Sequence, residues 1–227
     1  FTGEEDYFSG KGTQTGMVWE TNFVANVPDY ALLDYKARGA GGRNIKFTLC
    51  RNQMGAHVSE FPVGTYKKGH RHVNGVVIHA VTGKGYSLLW YEGDKEFVRT
   101  DWHHGVIYSP PDAMFHQHFN ISPKGARYLA VQMGSVRYPM MQEQRRSLIG
   151  LKPGEKGAVS LSVNEGGDQI EYEDQDPRIH RKWLEAIAKN GVSSEMGDTF
   201  DEAAIMKLPP EKLTGKIHMP VILDNVS

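Results

Sequence analysis

Cysteine is almost absent. Cys50 is the only one in 227 residues, which excludes an intramolecular disulfide framework and zinc-finger spacing. A charge excess is absent as well. Lys and Arg number 26 against 27 Asp and Glu, for a net charge of -1. No long run of either sign occurs, so neither nucleic acid nor an anionic membrane is expected as the main partner. No apolar stretch approaches the roughly 18 residues that span a bilayer, and no signal-peptide pattern opens the chain. The lone thiol suits a reducing cytoplasm, which is the location expected. The first residue is Phe1 rather than Met, which reads as a chain with residues preceding it. A phosphate-binding glycine loop and a serine-triad motif are also missing.

What is present is a series of short β-like runs. Residues 1–16 are polar and Gly-rich and read as an N-terminal arm. From Met17 onward, alternating segments such as Asn44 to Cys50 fit half-buried strands. Glycine, proline and Asp-rich turns punctuate them at roughly ten-residue spacing, which favours a sandwich or barrel over a βαβ sheet. The composition changes after Tyr138-Pro139. One strong helix signal follows over 177–190. Asp176 stands as cap, Pro177 at the first position and Gly191 past the end. Ile179, Trp183, Ala186 and Ile187 share one face of it. Residues 199–206 could add a shorter helix, Gln142 to Gly150 a helix or basic loop, and Ile217 to Leu223 an apolar packing segment. The organisation expected is a barrel over 17–137 and an extension over 138–227.

Two stretches carry the chemistry. Gly64-Thr-Tyr-Lys-Lys-Gly-His70-Arg-His72 places two histidines two residues apart. Residues two apart on a strand point the same way, so both imidazoles can face one point inside a barrel. Met114, His116, His118 and Asn120 obey the same parity. His116 on a facing strand would supply a third nitrogen. Three neutral imidazoles leave coordination positions open for water, substrate or oxygen.

The spacing resembles the two cupin motifs. Gly64, five residues, His70-x-His72 and a later Gly83 match the first. Gly105, five residues, Pro111, then His116, three residues and Asn120 match the second. The resemblance covers about residues 55–135. It implies an all-β fold, a double-stranded β-helix (jelly-roll) barrel with a C-terminal extension containing one or two helices. Two departures stand out. Val76 occupies the place of the usual glutamate ligand, and Ala113 that of the second motif's glycine. A three-histidine set beside a His-x-His-x-Asn run is similar to the gentisate and salicylate ring-cleaving dioxygenases. That likeness implies His70, His72 and His116 as ligands of Fe(II), with Mn, Ni or Zn as alternatives. It implies His118 as an acid/base or hydrogen-bond donor to substrate, the other reading being a satisfied interior histidine.

The remaining assignments are looser. Arg51 and Arg127 are candidate clamps for a substrate carboxylate, with Lys67, Lys68 and Arg71 as further nearby cations. Tyr108 and Met114 are candidate pocket residues. Glu60 is a candidate for the lost carboxylate. His103 and His104 read as turn residues, His79 has the wrong parity, and His57 and His180 carry no spacing argument. The partners expected are a small anionic, aromatic or hydroxylated carboxylate, O2, and further copies of the chain in a homo-oligomer. The alternatives are a redox-neutral lyase, decarboxylase or isomerase, and a non-catalytic ligand-binding barrel.

Overall fold

Alternation along one strand explains the architecture. In β11 (Phe115–Asn120) every residue is buried, because the strand is covered on both sides. Phe115 and Phe119 point to an aromatic core shared with the C-terminal extension. His116 and His118 point the other way, into a cavity between two sheets. The computed structural model describes residues 12–49, 54–72, 75–134 and 161–209.

The first sheet contains β1 (Gly12–Thr15), β2 (Val18–Thr21), β4 (Arg43–Leu49), β5 (Met54–Phe61), β12 (Ala126–Met133), β7 (Val76–Thr82) and β10 (Ile107–Tyr108) in that order. The short β3 (Leu33–Asp34) pairs with β4. The second sheet runs β13 (Gln169–Ile170), β6 (Gly69–His70), β11, β8 (Lys84–Trp90) and β9 (Val98–His103). Residues from both sheets line the cavity between them. This is the all-β, double-sheeted barrel expected from the motif spacing, with helices in the C-terminal part. No described helix is long and apolar enough to cross a membrane.

Two motif glycines sit where a side chain cannot go. Gly83 turns β7 into β8 at φ +78°, and a Cβ there would lie 2.9 Å from the Ala126 Cα. Gly64 adopts φ +71°, and a Cβ would meet the Ser193 carbonyl oxygen at 2.5 Å. The extension therefore packs directly on the first motif, and the Glu195 N–H donates to the Gly64 carbonyl at 2.9 Å.

The extension is part of the barrel wall. Helix α1 (Pro177–Ala188) has Asp176 as its cap, accepting from the Arg178 N–H. Gly191 follows its end in the left-handed region at φ +65°. Its stripe of Ile179, Trp183 and Ile187 is fully buried against Tyr66, Tyr86, Leu88, Phe115 and Phe119. Burial of each such side chain contributes roughly 1.5–3 kcal/mol. Trp183 Nε1 also donates to the Asn120 carbonyl at 2.9 Å. The amphipathic face thus docks on its own barrel. Helix α2 (Glu202–Lys207) follows, capped by Asp201. Cys50, residues 142–150 and residues 217–223 lie outside the described residues.

Candidate functional site: a four-histidine cluster

His70 and His116 are directly opposite each other in the antiparallel pairing of β6 with β11. Their rings lie 4.5 Å apart between centroids. The His72 ring lies 4.8 Å from that of His116 and 6.1 Å from that of His70. His118 adds a fourth ring, 5.5 Å from His116 and 6.2 Å from His70. One ring nitrogen from each of His70, His116 and His118 falls within 4.8 Å of the other two. The two motifs meet in a second place as well, where the Ala113 N–H donates to the His72 carbonyl at 3.0 Å.

Three of these rings are held by their Nδ1 atoms. His70 Nδ1 faces the Lys68 carbonyl at 3.1 Å, and His116 Nδ1 faces the Met114 carbonyl at 3.0 Å. A carbonyl can only accept, so each Nδ1 carries the proton and each Nε2 lone pair is free. That is the tautomer a metal-binding imidazole needs, fixed by its outer partner. His118 Nδ1 lies 2.8 Å from Ser87 Oγ and 3.1 Å from the Tyr108 hydroxyl. His72 Nδ1 is buried and has no partner among the described groups. Buried polar atoms normally find one, and a cation would supply it.

Burial keeps all four imidazoles neutral. It pushes His70, His116 and His118 well below the usual histidine range and His72 down to about 4. Arg38 and neighbouring histidines push the same way at His70, as do Lys67 at His118 and the neighbouring rings at His116. Neutral imidazole is the metal-ligating form.

The cavity holds about 320 Å³. Its far wall comes from β4, β5 and β12, through Asn44, Lys46, His57, Ser59, Tyr128 and Gln132. Lys67 and Arg38 complete it, while no Asp or Glu lines it among the described residues. Lys67 is only 4% exposed, and its ammonium donates to the Tyr128 hydroxyl at 2.7 Å. Arg38 donates to Gln169 Oε1 at 3.2 Å, so β13 of the extension holds it beside the cavity.

The other sequence candidates go elsewhere. Arg127 faces away from the cavity. Its guanidinium grips Glu60 Oε2 at 2.8 Å and the Val27 and Tyr30 carbonyls. It is a strut for the N-terminal segment, because its parity on β12 is opposite to that of Tyr128. Glu60 is its partner and has the wrong parity to replace a ligand. Met114 does not line the cavity; its carbonyl orients His116. Tyr108 lies behind His118 as a hydrogen-bond partner rather than on the cavity wall. Arg51 lies outside the described residues. Asn120 is structural, since its amide ties the Pro62 and Lys124 carbonyls and its Oδ1 accepts from Ser122. Sequence reasoning missed Arg38, Lys46, Tyr128 and the placement of His57.

No family model matches the sequence, and no curated protein matches it. Solved barrels overlay part of it. A cupin 2 conserved barrel domain protein from Rhodopseudomonas palustris covers 46% of this chain and 72% of its own, with 17% identity and a TM-score of 0.39. The CENP-C cupin domain of Drosophila melanogaster covers 48% and 74%, with 10% identity and a TM-score of 0.40. A Cupin 2 conserved barrel domain protein from Salinispora arenicola CNS-205 covers 43% and 79%, with 16% identity and a TM-score of 0.36. Likenesses at this level carry no argument, and the architecture rests on the strand pairing above.

Proposed function

We propose that the protein is a metal-dependent enzyme of cupin type, a mononuclear non-haem Fe(II) dioxygenase acting on a small carboxylate. The observation that carries this reading is a cluster of neutral imidazoles, with Nδ1 anchored and Nε2 free at His70 and His116, in a cavity lined by cations and, among the described residues, by no acid. His70, His72 and His116 would hold the metal. The donor set fits a borderline divalent ion such as Fe, Mn, Ni or Zn. When bound, the metal supplies Lewis-acid polarisation and a route for electrons between substrate and oxygen.

The chain's own groups do the rest. Three neutral imidazoles would leave a bound divalent ion's charge uncancelled, so the site would favour an anionic substrate. Arg38, Lys46 and Lys67 add to that field. His118 holds or accepts a proton at Nε2, because Ser87 and Tyr108 engage its Nδ1 side. The aromatic core beneath β11 keeps the strand rigid, so the rings stay in register. Homo-oligomer formation through the outer edge of β10, where Ile107 is 66% exposed, belongs to the same proposal.

The test is metal analysis of the purified protein, followed by oxygen uptake of the iron-loaded form across hydroxybenzoates and aliphatic hydroxy acids. Stoichiometric iron without uptake on any acid would overturn the dioxygenase reading. The Tyr108–Ser87–His118 hydrogen-bond chain favours one second reading, metal-assisted proton transfer without oxygen. Turnover under strict anaerobiosis selects it. Protein that takes up no divalent metal is a binding barrel instead.

A further inference from the structure

A lysine without an acid beside it is costly to bury. Lys67 lies on the strand-like segment before β6, almost fully enclosed, with its carbonyl fixed by Gln117 and its N–H by the His118 carbonyl. Its ammonium has three protons. The Tyr128 hydroxyl accepts one, and the Tyr128 ring lies 4.6 Å away as a cation–π face. No carboxylate pairs with Lys67 among the described residues. Arg38, which Gln169 holds, and Lys46 line the same cavity. Buried charges are normally paired. Lys67 is thus a buried charge without an acidic partner among the described residues, and an anionic ligand in the cavity would supply one.

We propose that the substrate is a small dianionic organic acid, one anionic group reaching the histidine cluster and the second resting on Lys67. This rests on the metal-site reading and narrows its substrate class. A monocarboxylate held at the histidine cluster would leave Lys67 uncompensated. A second anionic oxygen group satisfies the two spare ammonium protons of Lys67. Asn44, Ser59 and Gln132 on the same wall supply neutral hydrogen-bonding groups for hydroxyl or carbonyl oxygens. The volume of about 320 Å³ suits a compact, oxygen-rich acid. The second group can be a carboxylate or a phosphate, and the test separates them.

Matched pairs of acids decide it: succinate against butyrate, phthalate against benzoate, and phosphoglycolate against glycolate. Binding is read by calorimetry on zinc-loaded and on chelator-treated protein, for the wild type, Lys67→Gln and Lys67→Arg. The expected result is a preference for the dianion of at least about tenfold, the size of one charge-assisted hydrogen bond. It disappears in Lys67→Gln and is partly kept in Lys67→Arg. The better of the dicarboxylate and phosphate pairs names the second group. Lys67→Gln, with its uncompensated charge gone, should melt at or above the wild-type temperature without ligand, so loss of binding is not loss of fold. A lower melting temperature for Lys67→Gln with unchanged dianion preference would make Lys67 a structural residue and overturn the proposal. Equal binding of mono- and dianions by zinc-loaded wild type overturns it too. Failure to bind zinc, with the dianion preference intact, would instead overturn the metal reading alone.

Discussion

Arg71 and Asp168 form a buried ion pair, Nε to Oδ1 at 2.9 Å, with the Asp168 side chain wholly enclosed. The Arg71 N–H also donates to the Asp168 carbonyl at 3.0 Å, and its guanidinium reaches Glu92 at 2.7 Å. Arg71 stands between His70 and His72. The side chain that points away from the cavity is therefore the bolt that holds the two histidines to the C-terminal extension. Asp168→Ala should cost about 3–5 kcal/mol of stability, the range for breaking a buried pair. It should also weaken metal binding by about 10–100-fold, as loss of an outer partner does. Urea denaturation and a zinc competition titration measure the two. Loss of stability with unchanged metal affinity would separate the bolt from the site.

Removal of single imidazoles sorts the ligand set. His70→Ala and His116→Ala each remove a ring that contacts every grouping the geometry allows, so both should abolish stoichiometric metal. His72→Ala should do the same if its unpartnered Nδ1 side faces the cation. His118→Ala should keep the metal and lose turnover, because its Nδ1 already serves Ser87 and Tyr108. Metal content by plasma emission is the readout. Metal lost in His118→Ala and kept in His72→Ala would transfer the third ligand to His118, in line with the nitrogens of His70, His116 and His118 lying within 4.8 Å of one another.

The strand parity and the motif spacing made the histidine cluster legible from residues alone, as did the helix with Asp176, Pro177 and Gly191. The far wall was not legible for a physical reason. Asn44, Lys46, His57 and Ser59 alternate with Ile45, Phe47 and Val58, which is the pattern of a strand with one wet face. Here the apolar set packs under the N-terminal segment, and the polar set faces the cavity. Periodicity gives the two faces and not which one is inside. The same ambiguity misplaced Arg127. Tyr128, its neighbour, holds the inward position. Lys67 could not be told from a solvated lysine because its burial depends on Tyr128, 61 residues away.

Acid should unfold the metal-free protein early. Burial depresses the folded-state values of His70, His116 and His118 well below 6.5 and those of His72 and His180 to about 4. Above pH 6.5 these rings are neutral in both states and contribute no slope. Below it the unfolded chain takes up protons that the folded chain refuses, so stability falls with pH down to about 4. Each ring contributes up to about 1.4 kcal/mol per pH unit over its window. Urea midpoints at pH 7.5, 6.5, 5.5 and 5.0 should be flat over the first step and then drop steeply. Zinc should hold the midpoint up until protons displace it. A flat profile down to pH 5 would mean the rings are wetter than their enclosure implies.

Ala113 stands at the second motif's glycine position and adopts φ 60°, the left-handed region, the only described non-glycine residue with positive φ. An alanine there costs about 1–2 kcal/mol. Ala113→Gly removes that strain and gives back about 0.4–1 kcal/mol through a freer unfolded chain. The net gain of up to about 1.6 kcal/mol corresponds, at about 2–4 °C per kcal/mol, to a rise in Tm of up to about 3–6 °C for a protein of this size. Ala113→Val should move the opposite way by more, since a β-branched side chain fits that region worst. The site should feel it too. The Ala113 N–H holds the His72 carbonyl, so a turn pushed out of the left-handed region drags His72 from the cluster. Calorimetric Tm and zinc affinity for the two variants check both halves. Ala113→Gly that melts lower than wild type would mean the alanine methyl contributes packing that outweighs its backbone strain.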